Sequence, residues 1–241
     1  MSSYRKEKLV NGEIYHIVLR ALDNNLIFKN KDDYYRGIFS IYEFNNAKPI
    51  TIQARRKARI NFKKKTDKKP LSIQIEGRDK LVEILSFTFM PNHPHLLLRQ
   101  IKNNGISKFM MKIGAGYGGY FNRKYHRKGH VFQNRFLSVH IKDEKQLKVV
   151  FAYINVNPLS LIEPNWKEKG IKNLKKISQF LENYKWSSYG DYIGKKNFPS
   201  VTDREFILRI MGGEKGCKEL VENWIKHKTK LRESPKLFLE E

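Results

Sequence analysis

The sequence is poor in cysteine and in long apolar runs. Its single cysteine, Cys217, excludes a disulfide within the chain and argues against the common cysteine-rich zinc sites. No stretch approaches the roughly 18 consecutive apolar residues that a membrane-spanning helix needs. The first residues, MSSYRKEKLVNGE, lack the apolar segment of a secretory signal peptide. These absences predict a cytoplasmic protein with no membrane partner.

Acidic residues are scarce relative to basic ones. The chain has 48 Lys and Arg against 24 Asp and Glu, which gives a formal net charge of +24 at pH 7. An excess of this size indicates a polyanionic partner, with nucleic acid as the first candidate and an anionic membrane surface as the second. The membrane surface ranks last because the chain has no amphipathic basic helix of sufficient length. A well-solvated basic surface is the alternative interpretation, and charge alone does not separate DNA from RNA.

The hydrophobic pattern predicts a mixture of strands and helices around a core. Hydrophobic residues make up 40% of the chain and aromatic residues 12%. The periodicity predicts strands over 13–22, 79–90 and 93–100, a short strand or extended loop over 129–141, and helices over 31–46, 105–125, 142–159, 203–213 and 215–228. Asp32 is a candidate cap for the first helix. Four glycines within 114–119 predict a kink, or a close approach to another backbone.

Two segments differ in composition from the rest. Residues 48–79 are predicted to be an insertion, because 54–69 holds nine basic residues and only two isolated apolar ones outside its alanines. A mobile loop or a loose hairpin would fit this pattern, and its charges would serve partly as solvated surface and partly as phosphate contacts. Residues 196–241 are predicted to be a small helical C-terminal extension.

A histidine pair stands within an otherwise apolar stretch, SFTFMPNHPHLLLRQ. Residues i and i+2 of a strand point to the same face, so His93 and His95 would direct two imidazoles to one place. A metal site needs such convergence, and two imidazoles with an oxygen ligand suit Mg²⁺ or Mn²⁺ with positions left for a phosphate. The alternative is a pair of ordinary core or surface histidines.

The helix predicted over 142–159 offers a third ligand and a nucleophile. Asp143 and Gln146 have the spacing of a capping box, and Pro158 is expected to end the helix. Tyr153 and Asn157 lie one turn apart on one face. Asn157 could give an amide oxygen to the metal and Tyr153 could place its phenol beside it. A packing tyrosine and a helix C-cap are the structural alternatives.

These groups together suit phosphoryl transfer. A deprotonated phenol is a competent nucleophile, and a metal beside it stabilises charge on the group transferred. Attack of a tyrosine on a DNA phosphodiester would store the energy of the broken bond in a phosphotyrosine. A second strand could then be rejoined without ATP.

Several motifs resemble those of one family. The segment MPNHPHLLL resembles the HUH motif (His, bulky apolar residue, His) of single-strand DNA endonucleases, and YINVNPL resembles a Tyr-Ile-x-x-Asn-Pro stretch of the REP-associated tyrosine transposases. Three further segments, YHIVLRALDNNLIF, GHVFQNRF and YKWSSYGDY, are similar to segments of that family in the same order. The resemblance covers residues from about 10 to 195, so 1–195 is expected to form the catalytic domain.

The resemblance implies a fold, a reaction and a set of site residues. The fold is α+β and ferredoxin-like, an antiparallel sheet with helices packed on one face. The reaction is cleavage and rejoining of hairpin-forming single-stranded DNA through a 5′-phosphotyrosine, with Mg²⁺ or Mn²⁺. By position, His93, His95 and Asn157 are metal ligands and Tyr153 is the nucleophile. DNA contacts are implied, less specifically, for Arg20, Gln133 and Arg135, and the resemblance leaves a homodimer open.

One residue departs from the family pattern. Pro94 stands between the two histidines, where the family has a bulky apolar residue, and proline is rare inside strands. We expect the two imidazoles to converge nonetheless, because Pro94 lies at the start of its strand. The alternative function is a non-catalytic nucleic-acid-binding protein with the same fold, in which Tyr153 stacks on bases.

Overall fold

The computed structural model describes residues 8–51, 53, 55, 57, 60, 78–133, 135–166, 171 and 173–228. Most of the predicted insertion at 48–79 and the tail 229–241 lie outside these residues, so their interpretation stays a prediction. The strands are β1 (Ile14–Val18), β2 (Val82–Met90), β3 (His93–Gln100) and β4 (Leu137–Ile141). The helices are α1 (Lys31–Phe44), α2 (Gly105–Lys124), α3 (Glu144–Val156), α4 (Leu174–Asn183), α5 (Tyr189–Tyr192), α6 (Glu205–Met211) and α7 (Gly213–Lys228).

The four strands form an antiparallel sheet in the order β2-β3-β1-β4. Strands β2 and β3 form a hairpin in which Met90 lies opposite His93. Strand β1 runs between β3 and β4, with Val18 opposite both His95 and Leu137. The end of β1, the start of β3 and the start of β4 therefore meet at one end of the sheet.

Helices cover both faces of this sheet. On one face, Ile17, Leu96 and Leu98 pack in a core with α1 and α2. On the other face, Leu85 and Leu97 pack in a second core with α3, α4, α5, α6 and α7. The α+β class and the antiparallel sheet are confirmed, but the implied placement of helices on one face is corrected. The physical reason is that the run Leu96–Leu98 is apolar on both faces, so both need a cover.

The C-terminal helices belong to the second core. Cys217, Val221 and Ile225 of α7 are buried in the same cluster as the apolar residues of α3. The domain boundary near 195 stays a prediction, but the described part of the extension packs on the central sheet layer. Helix α4 was not predicted from the sequence, although Leu174, Ile177 and Leu181 stand at helical spacing.

Two local predictions are corrected. The cap of α1 is Asn30 and not Asp32, because the side chain of Asn30 accepts hydrogen bonds from the backbone N–H groups of Asp32 and Asp33. Helix α2 runs without interruption through its glycines. The close approach that one glycine permits is to a ring: a Cβ at Gly116 would overlap the side chain of Phe44.

Within the described part of the chain, none of the helices has the length and apolar character needed to cross a bilayer. The cytoplasmic location stays a prediction.

Candidate active site

The β2–β3 hairpin places the histidine pair. His93 and His95 are the first and third residues of β3 and point to the sheet face that α3 covers. Their Nε2 atoms lie 2.9 Å apart. His95 is fully buried, while His93 is half-buried and has its Nδ1 atom 2.7 Å from the Oδ1 atom of Asn92. The two imidazoles therefore converge, as their spacing predicts.

Pro94 does not prevent this convergence. It lies opposite Phe89 of β2, and the backbone N–H of Phe89 donates instead to the carbonyl of Trp186, on the outer side of the sheet. The missing N–H of Pro94 thus costs no bond to β2. The carbonyl of Pro94 accepts a hydrogen bond from Leu19, just beyond the end of β1. A proline is tolerated here because the position lies at the start of a strand.

Helix α3 directs its last turn toward the histidines. The side chain of Asp143 caps the helix by accepting from the N–H of Gln146, and Gln146 accepts in turn from the N–H of Lys142. Buried side chains at helical spacing hold the helix on the second core: Leu147, Val150, Phe151 and Ile154. The α-helix ends at Val156, just before Pro158 as expected, and the chain continues as a 3₁₀ turn (Asn157–Leu161).

Asn157 contacts the histidine pair. Its Nδ2 atom lies 2.8 Å from Nε2 of His95, and its backbone N–H donates to the carbonyl of Tyr153. The residue has right-handed helical backbone angles and is 7% exposed. Its amide thus lies against an imidazole, although it also occupies the C-cap position.

Tyr153 is adjacent to the same rings. Its ring centroid lies 5.8 Å from that of His95 and 5.9 Å from that of His16, in edge-to-face geometry. The indole of Trp224 on α7 is 6.4 Å away. Only 2% of Tyr153 is exposed, yet the residue lines a cavity of about 290 Å³ together with His93 and Asn157. His93, Tyr153 and Asn157 therefore border a common cavity.

The structure adds His16, a residue to which sequence reasoning gave no role. Its Nε2 atom lies 3.0 Å from Nδ1 of His95, the two rings stack at 5.2 Å, and the residue is fully buried. The available signal was a histidine in an otherwise apolar strand, YHIV, on the face shared with Ile14 and Val18. The sequence did not reveal that β1 pairs with β3, which is the pairing that brings His16 next to His95.

The donor atoms fit a divalent cation. Adjacent ligands on an octahedral ion with bonds of about 2.1 Å lie roughly 3 Å apart, and the Nε2 atoms of the histidines are 2.9 Å apart. The side-chain amide of Asn157 lies at a similar distance from Nε2 of His95. A 180° rotation of this amide places its oxygen where its nitrogen is now. Among the described residues, no group of three His, Cys, Asp or Glu side chains could hold a metal. An ion held by the two histidines would therefore take a third protein ligand of another type, such as the amide of Asn157.

The three residues with implied DNA contacts lie at the same end of the sheet or close to it. The backbone N–H of Gln133 donates to the carbonyl of Arg20. Ala21, which follows Arg20, donates its backbone N–H to the carbonyl of Asn92 in the hairpin turn. Arg20 is half-exposed and Gln133 is exposed. Arg135 is exposed and lies two residues before β4.

The site lies within a segment that matches a known family. Residues 44–157 match the family model described as "Transposase IS200 like". None of the curated proteins compared with the chain gives a match. One similar solved structure is entitled "Structure of the REP associates tyrosine transposase bound to a REP hairpin"; it has 15% sequence identity and a TM-score of 0.44 over 85% of this chain and 96% of that chain. The matched segment, residues 44–157, includes the histidine pair, Tyr153 and Asn157 and is similar to the IS200-like transposases.

Proposed function

We propose that this protein cleaves and rejoins single-stranded DNA, with Tyr153 as the nucleophile. His93, His95 and Asn157 would hold Mg²⁺ or Mn²⁺. The observation that carries the proposal is that two imidazole Nε2 atoms lie 2.9 Å apart with a tyrosine ring 5.8 Å from His95, beside a cavity that His93, Tyr153 and Asn157 line. The net charge of +24 suits a polyanionic substrate.

In the proposed reaction the phenolic oxygen of Tyr153 attacks a DNA phosphorus atom. The P–O3′ bond breaks, the departing O3′ takes a proton, and the strand that begins at this phosphate is held as a 5′-phosphotyrosine. The phenolic proton leaves to solvent through the cavity. In the second step a 3′-hydroxyl attacks the same phosphorus, the P–O bond to Tyr153 breaks, and the phenol is restored. A bound divalent cation would supply charge stabilisation to the phosphate oxygens in both steps.

The contacts of Tyr153 favour this function over the non-catalytic alternative. A tyrosine that stacks on bases must expose a ring face, whereas Tyr153 is 2% exposed and packs against His16, His95 and Trp224. These contacts leave no ring face of Tyr153 free for a base, so the stacking role of the alternative is not supported.

The test is a search for a covalent adduct. The protein is incubated with Mn²⁺ and a library of single-stranded DNAs that carry hairpins, the substrate class that the motif resemblance implies. We expect a protein–DNA band that survives denaturation and disappears in Tyr153→Phe. Tyr189→Phe is the matched control, because Tyr189 is also 2% exposed but does not line the cavity. Salt-sensitive binding without any adduct would contradict the proposal and support the non-catalytic binder.

A further inference from the structure

The cavity beside Tyr153 has apolar walls as well as catalytic groups. Besides Tyr153, His93 and Asn157, its lining includes Leu26, Leu161 and Trp166. Trp166 is 3% exposed and lies 5.8 Å, ring centroid to ring centroid, from Trp224. The proposed reaction needs only a path for a phosphate, so these apolar walls require another explanation.

Two of the wall residues are exposed leucines from distant parts of the sequence. Leu26 is 56% exposed and Leu161 is 41% exposed. A single exposed leucine is ordinary on a protein surface. Two that line the same cavity, next to a buried indole, form an apolar surface that gains free energy when a flat apolar group covers it.

The occupant must accompany a phosphate. A DNA strand that brings a phosphodiester to the phenol of Tyr153 also brings the bases attached to the neighbouring sugars. The cavity of about 290 Å³ lies at the small end of ligand pockets, which span roughly 300–1,000 Å³, so it suits one base and not a base pair. Polar groups that could meet the edge of a base are present on Asn92 and Ser160, which also line the cavity.

We propose that this cavity holds one unpaired nucleobase of the DNA strand, adjacent to the phosphodiester that Tyr153 attacks. The inference rests on the proposed function and adds a subsite to it. The base packs against the exposed side chains of Leu26 and Leu161 and so fixes which phosphate faces the phenol. Recognition of this base selects the position of cleavage along the strand.

The subsite is tested by binding, separately from cleavage. The Tyr153→Phe protein is mixed with the hairpin-bearing strand that it binds most tightly from a random library. Each unpaired nucleotide in turn is replaced by 2-aminopurine, whose fluorescence reports stacking, and then by an abasic residue. We expect one position to show a large fluorescence change. Its abasic form should bind about tenfold more weakly, because the apolar area that the base buries on the two leucines is lost.

Leucine variants connect that position to the cavity. In the Tyr153→Phe protein, Leu26→Ala and Leu161→Ala should each weaken binding of the intact strand. The abasic replacement should then lower the binding affinity by less than about twofold, because its contact with the leucine is already lost. Leu174→Ala is the matched control: Leu174 is also 41% exposed but lies on α4, away from this cavity. It should keep the tenfold effect.

The outcomes separate the two proposals. Additive effects of the leucine variants and the abasic replacement, or no responsive position, would overturn the base subsite whether or not an adduct forms. A coupled position together with no adduct in the protein that retains Tyr153 would overturn the cleavage reaction and leave a base-binding cavity.

Discussion

The Nε2 atom of His16 lies 3.0 Å from the Nδ1 atom of His95, on the side of the ring opposite the Nε2 atom that faces His93. A metal-binding histidine commonly has its second nitrogen held in this way, which fixes the orientation of the ring. We therefore expect His16 to act as a positioning residue for the proposed ligand His95. Both rings are fully buried, so little else in this region could take over the contact.

Replacement of His16 should weaken metal binding. We expect His16→Leu to lower the affinity for Mn²⁺ by roughly 10–100-fold, and His16→Gln to lose less because its amide can still contact Nδ1 of His95. Isothermal titration of the protein with Mn²⁺, without DNA, measures this directly. His140→Leu is the control, because His140 contacts Glu13 near the surface instead. Equal affinities for His16→Leu and the unaltered protein would refute the positioning role.

Arg135 should contribute to the salt dependence of DNA binding. An exposed arginine that neutralises one phosphate releases about one counterion, so Arg135→Ala should reduce the slope of log K against log salt concentration by about 1. The measurement is a titration with hairpin DNA at several salt concentrations. Lys215→Ala serves as the comparison, since the Lys215 side chain is 89% exposed and lies on α7. If the two variants have the same slope, Arg135 does not contact phosphate.

Two glycines of α2 should respond to alanine with opposite signs. A Cβ at Gly114 meets nothing within 4 Å, so Gly114→Ala should raise the free energy of unfolding by about 0.5–1 kcal/mol through helix propensity alone. A Cβ at Gly116 would overlap the ring of Phe44, so Gly116→Ala should lower it by roughly 1–3 kcal/mol. Urea unfolding of both variants compares them. Stabilisation in both would mean that α1 and α2 pack less closely than the structure shows.

The stability of the protein at low pH should depend on Asp33. Burial by itself would raise the pKa of this carboxyl, but hydrogen bonds from Lys124, Tyr125 and Tyr120 and from the backbone N–H of Lys29 outweigh it and hold the pKa below its usual value. The ionised Asp33 therefore stabilises the folded protein fully above the pKa that this carboxyl has in the unfolded chain, about 4. This stabilisation is lost as the pH falls through the lower pKa of Asp33 in the folded state.

Asp33→Asn removes this charge and should lower the free energy of unfolding at pH 7 by roughly 1.5–3 kcal/mol. The difference from the unaltered protein should shrink as the pH falls below about 4. Unfolding curves across pH measure it, with the exposed neighbour Asp32→Asn as the control. A difference that is the same at pH 7 and pH 2 would show that the charge of Asp33 has no part in the effect.

The local structure at the histidines could be predicted because it depends on short-range rules. Strand alternation placed His93 and His95 on one face, and helical spacing placed Tyr153 and Asn157 one turn apart. The cap of α3 by Asp143 was predicted for the same reason, since it involves residues three apart. These features are consequences of backbone geometry over a few residues and need no knowledge of the rest of the chain.

The features that were missed involve residues far apart in sequence. His16 meets His95 because β1 inserts between β3 and β4, a pairing order that periodicity does not encode. The packing of α7 against α3 likewise depends on which core Cys217, Val221 and Ile225 enter. An apolar stripe predicts that one face of a helix is buried, but it does not predict which element packs against that face.

The sequence by itself determined the basic charge, the strands and helices that carry the functional side chains, and the motifs that connect residues 44–157 to the IS200-like transposases. The tertiary structure decided that His93 of β3 and Tyr153 of α3 line one cavity, that His16 contacts His95, and that leucines and an indole line the same cavity. Those juxtapositions arise from packing between elements distant along the chain, which is fixed by the fit of many side chains together and not by any local pattern.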